Sequence, residues 1–236
     1  MDRLQKIIAQ AGICSRRQAE NLILNGKVSV DGKIIRELGA KADINQKIRV
    51  DGKLLHFDTE KIYILLNKPR GYVSTAHDDR GRKTILELLS ENFREKRVYP
   101  VGRLDLNSEG LILLTNDGEL TNSLIHPRFE IEKTYRAKIS GILTEEKLDK
   151  LRAGIELDDG LTAPAEIYLL DKDLVEITIH EGRNRQIRRM FAAIGCDVKR
   201  LKRIKFANLT IDGLKVGNFR VLTSDEVSAL KNLVGD

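Results

Sequence analysis

The sequence predicts an α+β protein in two parts: a small helix, helix, strand unit over residues 1–57 and a mainly antiparallel β-sheet domain with flanking helices over residues 62–236. Three observations predict it. Apolar residues near the start recur at helical spacing, later segments switch repeatedly between period 2 and period 3.6, and the polar stretch Asp58-Thr59-Glu60-Lys61 separates the two as a linker. Two hundred and thirty-six residues can bury a sizeable core in one domain or two, so length alone does not divide the chain.

Leu4, Ile7, Ile8 and Ala11 form a helical stripe that ends at Gly12, a residue suited to a left-handed cap. Ser15 lies three residues before Gln18, the spacing of a capping box, and Ala19, Leu22 and Ile23 continue an apolar face until Asn25-Gly26. Val28 and Val30, the turn Asp31-Gly32, and Ile34-Ile35 read as a hairpin. Ile48 and Val50, Asp51-Gly52, and Leu54-Leu55 read as another.

In the second part, strands are expected over 62–66, 111–115, 134–139, 167–170 and 175–179. Helices are expected over 119–125, ended before Pro127, and over 144–152, closed by Gly154. Ile187, Met190, Phe191 and Ile194 share one face of a further helix capped by Gly195. Arg185 and Arg188, three apart, are expected on neighbouring surface of that helix, lining a cleft with an apolar floor. Residues 199–205 alternate charge with Leu201 and Ile204 and fit either a strand or a helix.

Lys and Arg number 41 against 35 Asp and Glu, the pI is near 9.2, and cations crowd residues 183–205. This balance points to a polyanionic partner, above all nucleic acid. Arg183, Arg185, Lys199, Arg200, Lys202 and Arg203 are candidate contacts to a phosphate backbone. Cys14 and Cys196 lie far apart and the four histidines lack metal-ligand spacing, so neither a disulfide nor a metal site is expected. No apolar run approaches the roughly 20 residues of a bilayer span, and the first residues lack an apolar signal core. A soluble, cytoplasmic, monomeric protein is expected.

The most informative segment is Gly102-Arg103-Leu104-Asp105, followed by Leu106-Asn107-Ser108-Glu109-Gly110 and an apolar run. A lone Asp after Gly-Arg-Leu is commonly a turn or cap, but an acid repels phosphate, so within a basic protein it suggests catalysis on an anionic polymer. Glu109 reads as a turn or cap residue, His126 before Pro127 as structural, and residues 78–82 as a solvated loop. Asp117-Gly118, Asp159-Gly160 and Asp212-Gly213 read as turn chemistry.

The front unit resembles the αL RNA-binding module first known from a ribosomal small-subunit protein, on Ser15-Arg16-Arg17-Gln18-Ala19 and Gly26-Lys27-Val28. That resemblance implies RNA backbone contacts at Arg16, Arg17, Gln18 and Lys27, which position rather than specify. Gly102-Arg103-Leu104-Asp105, Lys133-Thr134-Tyr135-Arg136-Ala137 and the run from Gly182 to Met190 resemble the ribosomal pseudouridine synthases of the RsuA/RluB type. Together with residues 65–71, the likeness spans the chain with its motifs in order. Residues 107–110, 116–120 and 183–185 look more like the large-subunit rRNA enzymes of that family.

The resemblance implies the pseudouridine synthase fold, rRNA as partner, no cofactor, and isomerisation of a uridine. Asp105 would act at the ribose, as covalent nucleophile or as base, with Arg188 pairing its charge. Tyr135 would stack on the extruded uracil and serve proton transfer, Ile187 would cover its other face, and Arg103 would contact the displaced nucleotide or its phosphate. Two rivals stand beside this: a non-catalytic rRNA-binding assembly factor, which leaves Asp105 unexplained, and a glycosidic hydrolase, which calls for a second working carboxylate.

Overall fold

The computed structural model describes residues 1–57 and 60–235; Asp58 and Thr59 of the expected linker lie outside the described residues. The chain divides into two compact units, Met1–Lys61 with Asn116–Gly118, and Ile62–Thr115 with Glu119–Asp236.

The first unit runs β1 (Asp2–Arg3), α1 (Leu4–Gln10), α2 (Arg16–Leu24), β2 (Val28–Val30), β3 (Lys33–Ile35), β4 (Lys41–Ala42), β5 (Ile48–Val50) and β6 (Lys53–Leu54). The capping box forms as its spacing requires: Gln18 N donates to Ser15 Oγ at 3.2 Å and Ser15 N to Gln18 Oε1 at 3.0 Å. Asp31-Gly32 and Asp51-Gly52 take positive φ at both positions, which matches the strand twist of a two-residue hairpin. The four-stranded sheet β3-β2-β5-β6 and the two helices close over Leu4, Ile7, Ile8, Ile23, Val28 and Ile48. The β1–β4 pair is an addition to the expected elements; two-residue strands carry too little periodicity to be read from sequence.

The second unit contains β7 (Tyr63–Lys68), α3 (Glu91–Glu95), β8 (Tyr99–Pro100), β9 (Glu109–Thr115), α4 (Gly118–Ile125), β10 (Lys133–Ser140), α5 (Glu145–Ala153), β11 (Glu156–Leu157) and β12 (Gly160–Leu161). It continues with β13 (Glu166–Asp171), β14 (Leu174–Ile179), α6 (Gln186–Ala193), β15 (Asp197–Phe206), β16 (Leu209–Thr210), β17 (Phe219–Val221) and α7 (Ser224–Val234). The main sheet is ordered β13-β14-β10-β15-β9-β7-β17, and among these neighbours only β15 and β9 are parallel.

Both faces of β7 and β9 are covered. Ile64, Leu66, Ile112 and Leu114 enter one core with β10, β14 and α6; Leu65, Leu111 and Leu113 enter another with Leu120, Leu124 and Leu230. Hence these strands read as unbroken apolar runs, whereas β10 alternates buried Tyr135, Ala137 and Ile139 with exposed Arg136 and Lys138. The ambiguous segment at 199–205 is strand β15, whose period is disturbed by register shifts against β10 at both ends. Gly110 lies where β9 runs beside β15: at φ +105° a Cβ there would sit 2.1 Å from the Arg203 carbonyl oxygen. Glu109 therefore opens the strand and is not the turn or cap residue expected of it.

Candidate active site

The segment carrying Asp105 is a clamped loop between β8 and β9. Gly102 turns the chain at φ +73°, and buried Leu104 is gripped by Ser74, whose hydroxyl donates to Leu104 O at 2.8 Å and accepts from Leu104 N at 3.1 Å. Ser108 N closes the turn on Asp105 O at 3.0 Å, and Gly71 N reaches Leu106 O at 2.9 Å. Beneath the turn lies Lys68, fully buried at the end of β7, whose Nζ donates to the carbonyls of Ser108 at 2.7 Å, Asp105 at 3.1 Å and Pro69 at 3.2 Å. Burial pushes the Lys68 ammonium down to about 8, against the attraction of Asp105 and Glu109. The backbone is thus fixed from below while the Asp105 carboxylate, 35% exposed, faces outward.

The loop before α6 and the start of the helix face it with cations. Arg185 caps α6 in the left-handed conformation, φ +49°, and its Nη1 lies 3.8 Å from Asp105 Oδ2. It precedes the helix instead of lying on its surface, so the expected Arg185 and Arg188 stripe is not formed. Nor is the expected ion pair between Arg188 and Asp105. The Arg188 guanidinium donates to Val198 O at 2.7 Å and Asn107 O at 3.3 Å, tying α6 to β15 and to the Asp105 loop. Burial holds Arg188 below the usual arginine range, as do Arg185 and Arg70, with Asp105 opposing. The cation in ion-pair range of the acid is therefore Arg185, and Arg188 acts on its surroundings.

Arg183 and Arg189 brace this bank. Arg183 bonds Glu181, Asp159 and the carbonyls of Gly160 and Leu161, while Arg189 holds Asp158 and Asp159 on the β11–β12 hairpin. Arg183 is thus engaged within the protein, which corrects its expected place as a backbone contact. The same holds for two residues of β15. Arg203 is 3% exposed and donates to Leu111 O at 2.7 Å; Arg200 is ion-paired with the buried Glu109. Lys199 is exposed and Lys202 half-buried, and neither is locked inside. The reasons differ: Arg203 shares the inward face of β15 with Leu201 and must find acceptors there, whereas Arg200 stays exposed and is drawn to the buried Glu109 of the neighbouring strand.

Between the two banks opens a cleft of about 230 Å³, lined by Arg103, Asp105, Tyr135, Arg185, Ile187 and Leu201 among others. Tyr135 and Ile187 are buried in the core behind it, and Arg103 is exposed at its rim. The site thus offers a carboxylate beside a cation, an aromatic ring and an apolar wall for a flat base. Among the described residues, no group of three or more His, Cys, Asp or Glu side chains is disposed to hold a metal ion. In the first unit Arg16, Arg17 and Gln18 are exposed at the start of α2, though the Gln18 amide oxygen is occupied by the cap, and Lys27 lies 3.3 Å from Asp51.

Residues 62–193 match the model of the RNA pseudouridylate synthase family, over half of the chain. The chain belongs to that family. Residues 2–48 match the S4 domain. The ribosomal large subunit pseudouridine synthase B of Bacillus subtilis is 50% identical over 239 residues, covering 99% of this chain and 97% of that protein. The protein of the same description from Haemophilus influenzae is 38% identical over 245 residues, covering 99% and 68%. A crystal structure described as a pseudouridylate synthase aligns with TM-score 0.72 at 32% identity, covering 98% of this chain and all of that one. This pseudouridine synthase is accordingly an isomerase with an RNA substrate, and no helix of its described residues is long and apolar enough to cross a membrane.

Sequence reasoning quoted Lys68, Arg70 and Lys133 of this synthase within motifs but assigned them no part. One signal was available for Lys68: a lysine ending an unbroken apolar strand must be buried with it and must find acceptors. Ser74 carried no signal, because its partner Leu104 is thirty residues away.

Proposed function

We propose that this synthase converts a uridine of large-subunit ribosomal RNA to pseudouridine, as a cytoplasmic monomer without a cofactor, with Asp105 supplying the carboxylate that acts at the ribose. The observation that carries the reading is the place of Asp105: it is held rigidly by its backbone, partly exposed, and 3.8 Å from Arg185 at a cleft walled by Tyr135 and Ile187. A carboxylate at this point weakens plain RNA binding, because its charge opposes phosphate. It serves a reaction at the sugar, either by bonding to C1′ or by removing the C2′ proton.

Tyr135 and Ile187 then receive the flipped base, Arg185 balances the carboxylate, Arg188 positions the loop through Asn107, and Arg103 meets the displaced nucleotide at the rim. Extruding a base from a helix costs roughly a few kcal/mol, offset by backbone contacts. Residues 1–57 supply such contacts through Arg16, Arg17 and Lys27, and residues 62–236 do the chemistry, with Lys199 and Lys202 as further phosphate contacts. The large-subunit assignment is supported by the names of the Bacillus subtilis and Haemophilus influenzae relatives.

The test uses large-subunit rRNA carrying tritium at uracil C5. Wild type is expected to release label with the base still attached, while Asp105→Asn binds RNA but loses more than about a thousandfold in rate. Release by the variant at the wild-type rate would remove Asp105 from its role. No release by wild type from either ribosomal RNA, with binding intact, would make the protein an assembly factor.

A further inference from the structure

The deep wall of the cleft carries a cationic pair that the reading above does not use. Lys133 and Tyr135 lie two apart on β10, both lining the cleft, and Arg203 on β15 is the cross-strand neighbour of Tyr135. The Arg203 guanidinium leans over the ring of Phe206, 4.9 Å from its centroid, and Phe206 is in turn the cross-strand neighbour of Lys133. Both cations therefore gather at one end of the cavity.

Neither forms an ion pair among the described residues. Lys133 Nζ makes one bond, to Ile131 O at 2.7 Å, and has two hydrogens left. Arg203 bonds Leu111 O, and one of its terminal nitrogens is buried without a partner. Glu181 lies near Lys133, but its oxygens already accept from Ala163 N, Gln186 and Arg183. Burial, reinforced by Arg203, pushes the Lys133 ammonium down to about 8, with Glu181 opposing. One backbone carbonyl apiece does not account for two cations lining one cavity.

We propose that Lys133 is a catalytic group that donates a hydrogen bond to a carbonyl oxygen of the detached uracil, with Arg203 adding to its field, and so stabilises the charge that base acquires. The proposal rests on the assignment of Asp105 to the ribose. When the bond between C1′ and N1 breaks, its electron pair stays with the base and spreads over N1, O2 and O4, while the sugar either bonds to the Asp105 oxygen or gives it the C2′ proton. When C5 then bonds to C1′, the Asp105 oxygen leaves C1′ with its electron pair, or on the other route Asp105 returns its proton to C2′; the C5 proton leaves and N1 recovers one, so the charge on the oxygens is transient. A cation fixed beside a carbonyl oxygen is worth most in that interval.

The test compares single-turnover rates on uridine-containing and 5-fluorouridine-containing rRNA, whose fluorinated base is the better leaving group, read by digestion and chromatography of the target nucleotide. Lys133→Met is expected to slow the uridine substrate about a hundredfold and the fluorinated one several-fold less. Lys133→Gln keeps a donor for Ile131 O without the charge and is expected to show the same substrate-dependent loss; Lys133→Arg should recover part of the rate. Equal losses on both substrates, or no loss in a folded variant that binds RNA, would overturn the proposal. Asp105→Asn in parallel separates the two ideas: its activity on either substrate would defeat the reading of Asp105, whereas its inactivity with an unaffected Lys133→Gln would defeat only this one.

Discussion

The two banks of the cleft are built with opposite charges and opposite supports. The bank carrying Asp105 presents an anion and is held from beneath by a buried cation, Lys68, which bonds three carbonyls and leaves the carboxylate free. The bank before α6 presents the cation Arg185 and is held by acids: Glu181, Asp158 and Asp159 fix Arg183 and Arg189 on either side of it. Each bank thus anchors its own member of the Asp105 and Arg185 pair with charge of the opposite sign. The difference lies in burial. Lys68 is sealed in the core, whereas the Arg189 anchor lies at the surface, where ion pairs contribute little.

This contrast orders the expected effects of mutation. Lys68→Met should be the most damaging, since it removes the one side chain that ties the carbonyls of Pro69, Asp105 and Ser108 together beneath the turn. A loss of about 2–3 kcal/mol in urea unfolding is expected, with kcat reduced more than KM is raised. A variant as stable and active as wild type would show that the turn holds itself. Arg185→Ala should come next, lowering kcat/KM by about tenfold while leaving the folded state intact. Arg189→Ala should cost less activity than Arg185→Ala, and less stability than Lys68→Met. Equal kinetic losses for the two arginines would erase the distinction between the group that faces the acid and the one that braces it.

The effect sharpest in sign is on pH. The folded-state values of Lys68 and Lys133 lie near 8, below the ordinary 10.5 that applies in the unfolded chain. Between these values the unfolded chain binds more protons, so stability should rise with pH across that window. Activity should fall there, as Lys133 loses its proton among Arg203, Glu181, His180, His126 and Asp105 around the same cleft. Rate and unfolding profiles moving together would contradict the assignment, and Lys133→Arg should abolish the fall in rate.

Much of the fold was legible because the signals are local. The capping box of Ser15 and Gln18, the two Asp-Gly turns and the alternation of β10 depend on residues within a few positions of one another. The apolar face of α6 was legible for the same reason. What differed was the partner of the acid and part of the expected phosphate-contact set. Arg188 was expected to pair with Asp105, but the left-handed turn at Arg185 brings that residue into range and sends Arg188 to two backbone carbonyls. The basic run of β15 was expected to track phosphate throughout, yet its register against β10 and β9 buries Arg203 and hands Arg200 to Glu109.

The sequence by itself determined the two-part organisation, the α+β class and the family, and singled out the loop of Asp105 as the candidate for the chemistry, because motif order and periodicity are properties of the chain. Only the tertiary structure decided which cations serve the acid and which brace the protein. A guanidinium or ammonium buried by strand pairing must satisfy its donors with whatever acceptors the packing brings, and those acceptors, Ser108, Val198 and Leu111 among them, come from segments far away in the chain.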